Sequence, residues 1–459
     1  MLARWGAAQY GMFALSSSLV VSMGLLDGGV RVLTRIRLAE ALKEGDQVAY
    51  RNALGSGVVS FACVAFAASF FAAALAASGL LSAWFHLPVG GEWLLLTSMV
   101  LTCVFMITNL ALEPLAAREN LSALKAANTW GAISSIPLCA AAVWLGASVF
   151  WTTILYMACI IIPNFVLLLL HKIHDEFPWR DSLSFHPRML LETLRSGVWY
   201  YLTTVSLVLK GHGFTFLVSA LLGPAAAGLF YILLRLTEVI TNLGTTASET
   251  SLASLATAHS NEERRLRFHQ SWLYVTSFCL YASVSLTLLG EPILRRWLPG
   301  HPKIVHGLGV SMAIFGLTSA LSRVSVNASM GLGNIRGAAI ANIFEAVINL
   351  GLAVVGFYIA GLPGILLGGS LGIFVMIPTL RKIADLCGDT FLSIYLAPLR
   401  SLIPGLLISA TLNGMALMSQ SPPLWILALA ASGILLVRYL RGFHKVDGLS
   451  VGGTETAGV

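Results

Sequence analysis

Apolar stretches of about 20 residues recur along this chain from one end to the other, separated by short turns and clusters of charge. A helix rises about 1.5 Å per residue, so each stretch reaches across the roughly 30 Å of hydrocarbon in a bilayer. Backbone polar groups find no water there, and only helices and closed barrels can span it. Within the stretches apolar residues are continuous and do not alternate at every second position, which selects helices over barrel strands. The chain is 57% hydrophobic and 11% charged, with a mean hydropathy of +0.81. A soluble domain carries about a quarter charged residues, so these charges are too few to make a soluble surface. The expected fold class is an all-α polytopic membrane protein.

About thirteen spans are expected, near residues 10–30, 53–80, 92–113, 126–147, 150–171, 196–221, 226–250, 270–290, 305–326, 337–360, 364–381, 397–418 and 422–440. Turn residues punctuate them, as at Gly223-Pro224, Gly361-Leu362-Pro363-Gly364 and Ser421-Pro422-Pro423. Alternate loops are basic. The loops on one side hold 22 of the 28 Lys and Arg residues, and those on the other hold four: Arg4, Arg295, Arg296 and Lys303. The positive-inside rule puts the first side in the cytoplasm, with the N-terminus outside and the C-terminus inside. The outside loops are short. The largest inside connection, Lys172 to Arg195, mixes Phe177, Trp179 and Phe185 with charges and reads as a membrane-surface segment. The tail from Val446 to Val459 is small, polar and expected to be disordered.

The chain also resembles itself at an offset of 217 residues. Trp5-Gly6 through Tyr10-Gly11 and Phe13 aligns with Leu222-Gly223 through Gly228 and Phe230. Each copy opens an apolar run that ends in a charged segment, Ala39 to Asn52 in one and Ala256 to His269 in the other. Duplicated membrane architectures are a hallmark of transporters with a substrate path between repeats. The repeat gives an N-terminal lobe over 1–171, a connecting segment over 172–195, a second lobe over 196–385, two extra spans over 386–445 and a tail over 446–459. A full span precedes Gly223, but only five residues precede Gly6, so the first lobe reads as one helix short. The expected explanations are a start that lies upstream or a lobe that works with five spans.

A charge inside the hydrocarbon needs a reason. Lys210 and Arg235 lie on consecutive spans at similar distances from the turn at Gly223. Two cations at one depth suit an anion such as a diphosphate, which Arg binds as a fork and Lys as a point charge. The competing reading pairs Arg235 with Glu238 on one helix face and has Lys210 snorkel or stand partly neutral. Asp27, Arg31 and Arg35 fall at i, i+4 and i+8 and form a stripe at the cytoplasmic mouth. They serve either as interfacial anchors with an internal ion pair or as the first contact for a lipid head group. Arg323 and Glu345 are candidates for a structural ion pair or a place on the path, and Glu249 for a proton-coupling group. Glu113-Pro114 ends a span and marks a kink or interface.

The six cysteines are scattered without a Cys-x-x-Cys pair and read as small packing residues. His171 and His174 alone do not make a zinc site, and no metal or other cofactor is expected. Neither a phosphate-binding Gly-rich loop nor a nucleophile elbow is present, so the chain reads as a non-enzyme without an ATPase of its own.

In their order and spacing, several of these segments resemble the polysaccharide or O-antigen (Wzx-like) flippases, a branch of the superfamily that also holds the MATE multidrug exporters. The resemblance rests on Trp5-Gly6 with Tyr10-Gly11, on Leu25-Leu26-Asp27-Gly28-Gly29 with Arg35, and on Leu222-Gly223 to Gly228 with Tyr231 and Arg235. It extends to Gly331-Leu332-Gly333-Asn334 and Gly361-x-x-Gly364. The chain departs from the family in the absent first helix. The resemblance implies two facing MATE-like helical bundles plus two C-terminal helices, in the inner membrane of a bacterium. It implies flipping of an undecaprenyl-pyrophosphate-linked oligosaccharide for O-antigen, capsule or exopolysaccharide synthesis, with membrane lipid and other polysaccharide-assembly proteins as partners and no nucleic acid. Coupling to H+ or Na+ is a further expectation, with no residue naming the ion. The alternatives are a MATE-like cation-coupled efflux pump, which should favour buried carboxylates over buried cations, and a membrane polymerase or ligase, which needs a larger outer loop than this chain has.

Overall fold

A computed structural model describes residues 2–22, 30–87, 90–117, 121–173, 198–199, 201–256, 258, 260–298, 307–395, 402–419 and 421–446. The described residues form helices and turns without a strand. Packing divides the chain into two compact units, Met1–Ile232 and Leu233–Val459.

The first unit contains α1 (Leu2–Ser22), α2 (Val30–Glu44), α3 (Gln47–Ala77), the short α4 (Leu80–Phe85), α5 (Gly91–Ala111), α6 (Glu113–Ala117), α7 (Leu121–Trp144), α8 (Val149–Ile173) and α9 (Tyr201–Leu222). α10 (Pro224–Ala256) begins in this unit and crosses into the second. There follow α11 (Asn261–Trp297), α12 (Leu308–Gly331), α13 (Ile335–Leu371), a 3-10 turn (Gly372–Met376), α14 (Ile377–Leu386), α15 (Phe391–Tyr395), α16 (Ile403–Met418) and α17 (Pro422–Val446). Among the described residues seven helical stretches are long and apolar enough to cross a membrane, and three shorter apolar helices accompany them. The protein is therefore a multi-pass membrane protein.

Among the described residues the charged segments that end each apolar run are mostly helical. Asp46 caps α3 by accepting from the amides of Val48 and Ala49, both at 2.9 Å. Ser260 caps α11 by accepting from the Glu263 amide at 3.1 Å. Each side chain satisfies amides that the first helical turn leaves without partners, so these helices start well before the apolar run does.

The repeat is written in the backbone. Gly6 breaks α1 with φ 77° and ψ 170°, and Gly223 stands between α9 and α10 with φ 81° and ψ 174°. Gly90 (φ 85°, ψ −2°) precedes α5, and Gly307 (φ 85°, ψ −3°) precedes α12 at the same offset. Left-handed backbone of this kind is open to glycine at little steric cost. α3 with α5 and α11 with α12 are therefore equivalent helix pairs.

The sequence places the lobe boundary at 172–195. The packing boundary falls instead inside α10, because α9 and the first turns of α10 pack against the first unit. A β-carbon on Gly11 would lie 1.7 Å from the carbonyl oxygen of Pro224, and one on Gly228 would lie 2.9 Å from the Gly11 amide nitrogen. The two repeat-related helices thus touch backbone to backbone at repeat-related glycines. The two expected spans near 337–360 and 364–381 share α13, which reverses direction at Ala360 and Gly361 (φ 63°). Its arms meet at Gly364 against the Gly356 carbonyl and at Gly368 against the Leu352 carbonyl, and Gly372 continues the seam against the Asn349 side chain. In the second unit α16 and α17 pack on α11, and Phe268, Trp272 and Tyr395 form an aromatic core whose Tyr395 hydroxyl donates to the Leu380 carbonyl at 3.0 Å.

Candidate functional site

Near the middle of α9 the helix widens into a π-helical segment over Leu209–Gly213, with the sequence Leu-Lys-Gly-His-Gly. Gly211 and Gly213 weaken the α-helix here, and π segments are common at functional sites. Both Lys210 and His212 are 8% exposed. Lys210 is thus a buried cation near the middle of a membrane-spanning helix. Thr203, Ser206, Thr215 and Ser219 are buried on the same helix. Thr203 and Ser206 turn their hydroxyls back onto Trp199 and Leu202 carbonyls.

α1 packs against α9, π segment included, and brings Ser16, Ser17 and Ser18 into the interior. The hydroxyls of Ser16, Ser18, Thr215 and Ser219 are buried without a hydrogen-bond partner among the described residues. A buried hydroxyl left unmade costs about 1–3 kcal/mol, so this seam is ready to take up water or ligand hydroxyls. The run of three serines inside an apolar span is the sequence signal for this seam.

Arg31 and Arg35 meet on Glu113, which the sequence marks as a kink or interface. α5 ends at Ala111, Leu112 leaves the helix, and Glu113-Pro114 opens α6. Leu112 and Leu115 are buried against Leu167 and Leu168 of α8, which fixes the elbow. α2 packs on α6, and the Glu113 carboxylate, 0% exposed, faces both arginines. Arg35 donates from Nε to one carboxylate oxygen at 2.6 Å and from Nη2 to the other at 3.1 Å. Arg31 Nε lies 2.9 Å from Oε1 as an ion pair off the line of a hydrogen bond. Burying a lone carboxylate is prohibitive, and the two guanidiniums make it tolerable. Asp27, the third member of the predicted stripe, lies outside the described residues.

Arg235 belongs to the second unit, where its Nη1 pairs with Glu238 Oε2 at 2.6 Å across i,i+3. The pair is partly open, with Arg235 43% exposed. This is the pairing that the competing reading of the sequence expected, since one turn of helix suffices to bring a carboxylate to Arg235. Glu345, on α13, is 2% exposed and accepts from the Ser322 hydroxyl of α12 at 2.5 Å. Arg323, next to Ser322, is half-buried. The side chain of Glu249 lies outside the described residues. Among the described residues no three His, Cys, Asp or Glu side chains gather as a metal site.

No family model matches the sequence, and no curated protein matches it. Solved structures do match in fold. A structure titled lipid II flippase MurJ, in an inward closed conformation, aligns with a TM-score of 0.66 at 14% identity, covering 95% of each chain. An inward-facing MATE family multidrug resistance transporter of the MOP superfamily aligns with a TM-score of 0.63 at 15% identity, covering 83% of this chain and 96% of that one. The MATE transporter DinF-BH in complex with R6G aligns with a TM-score of 0.61 at 14% identity, covering 84% of this chain and 89% of that one. At these identities the likeness establishes the fold: two pseudo-repeated helical bundles of the MATE and MurJ type, with C-terminal helices beyond them.

Proposed function

We propose that this protein translocates a lipid-linked oligosaccharide, carried on a polyprenyl diphosphate such as undecaprenyl diphosphate, across the inner membrane of a bacterium by alternating access. The observation that carries this reading is Lys210, a buried cation at a π-helical break in an apolar helix beside a hydroxyl-lined seam. A basic side chain buried within a membrane span suits an anionic head group, and hydroxyls are the natural partners of sugars. The fold shared with a lipid II flippase over nearly the whole chain supports the reading. Arg31 and Arg35 gather the head group at the cytoplasmic mouth, Lys210 holds its diphosphate, and Arg235 is a further cation for the substrate in the second unit. The polyprenyl tail stays in lipid, the product feeds O-antigen, capsule or exopolysaccharide assembly, and an H+ or Na+ gradient drives the cycle. The test is surface polysaccharide in cells that depend on this protein. Lys210→Ala combined with Arg235→Ala should abolish display while the protein still inserts; normal display at normal protein levels would sink the assignment.

The second reading is a MATE-like efflux pump, and Glu345 favours it, because a carboxylate buried at 2% exposure suits a cationic substrate or coupling ion. Under that reading cells expressing the protein resist cationic dyes, and Glu345→Gln removes the resistance without changing surface polysaccharide.

A further inference from the structure

The Arg31–Glu113–Arg35 contact does more than tie two helices together. Glu113 grips Arg35 along one side of its guanidinium, the edge formed by Nε and Nη2. A guanidinium is planar and rigid, so fixing one edge fixes the others. The end-on fork, made by the outward N–H of Nη1 and the second N–H of Nη2, is thereby turned away from Glu113. Arg35 is 29% exposed and Arg31 40% exposed, whereas Glu113 is sealed. The sealed carboxylate thus lies against two guanidiniums that are each partly exposed. A fork of two parallel N–H donors matches the oxygens of a phosphate, and a carboxylate behind it holds the fork in place before the ligand arrives.

We propose that Glu113 is the positioning residue of a lipid-diphosphate site, holding Arg35, with Arg31 beside it, so that the guanidinium fork meets the head group of a membrane-borne polyprenyl diphosphate. This deepens the transport reading above and rests on it for the choice of ligand. It also separates two roles that a plain charge count would merge. Arg35 binds through geometry, so a lysine in its place keeps the charge and the pairing to Glu113 but loses the fork. Glu113 never touches the ligand, yet its removal frees the fork to turn.

The experiment uses the full-length protein in nanodiscs of zwitterionic lipid, with undecaprenyl diphosphate in the bilayer or inorganic pyrophosphate in solution as the probe. Arg35→Lys should weaken binding of the lipid diphosphate about tenfold, the worth of one charge-assisted hydrogen bond, with the melting temperature unchanged. Glu113→Gln should weaken it at least as much, and Lys43→Ala, on the exposed last turn of α2, should leave it as it is. Equal affinity in wild type and Arg35→Lys overturns the proposal, as does binding of free pyrophosphate without binding of the lipid. If Glu113→Gln fails to insert, Arg35→Lys decides alone. The transport reading fails separately: normal surface polysaccharide in cells lacking the protein would remove it, while variant-sensitive lipid binding would still support the site.

Discussion

The charged residues within the apolar spans have environments that differ in kind. Lys210 is buried at a break in its helix, and Arg235 is partly exposed with a carboxylate three residues away. Single substitutions should reveal the difference. Lys210→Ala is expected to abolish polysaccharide display alone, and Arg235→Ala to reduce it by less than about tenfold, since an exposed i,i+3 pair contributes only tenths of a kcal/mol. Equal losses from both, at equal protein levels, would show that Arg235 works as a bare cation. Glu113 is a different case, because its removal leaves two neighbouring guanidiniums, both partly exposed, without the carboxylate between them. Glu113→Ala should lower stability by about 1–3 kcal/mol, read as a depressed melting temperature in detergent. Lys210, Arg31 and Arg35 were legible as charges at span depth or at span ends. Their pairing was not, because Arg35 and Glu113 lie 78 residues apart and only packing of α2 on the α5–α6 elbow joins them.

At the scale of helices, glycines do two separate jobs that a substitution can tell apart. Gly223 and Gly307 have left-handed φ with open space around them, so alanine there meets strain alone, about 1–2 kcal/mol. Gly11 and Gly364 meet backbone carbonyls that cannot step aside, at 1.7 Å and 1.8 Å from a virtual β-carbon. Gly11→Ala should therefore disrupt the seam between α1 and α10, costing more than about 3 kcal/mol or abolishing insertion, while Gly223→Ala inserts normally. Comparing the thermal stability of the two variants in one membrane preparation checks this; equal stability would mean that α1 and α10 part easily. Gly11, Gly223 and Gly364 were legible from the sequence as repeat or turn positions. The second job was not, because a close approach depends on which helix comes to lie opposite.

For the whole molecule the repeat and the charge bias give one orientation that a labelling experiment can test. Five of the six cysteines are buried, so a variant without Cys63 offers a quiet background. A cysteine at His86, in the loop between α4 and α5, should react with a membrane-impermeant thiol reagent in intact cells. One at Gly45, between α2 and α3, or at Asn334, between α12 and α13, should react only after the membrane is opened. The reverse pattern would invert the topology. What the sequence determined by itself was the medium, the helices, their approximate ends and the duplication, because all four follow from local chemistry: apolar runs of bilayer length, turn residues and a strong asymmetry of charge. What only the tertiary structure decided was which side chains share a site. The sealed Glu113 behind two arginines, the orphan hydroxyls along the seam of α1 and α9, and the unit boundary inside α10 depend on contacts between helices far apart in the chain. In lipid, where nearly every helix face is apolar, sequence pattern says little about which face meets which. Close packing at glycines and the pairing of buried charges select among those arrangements.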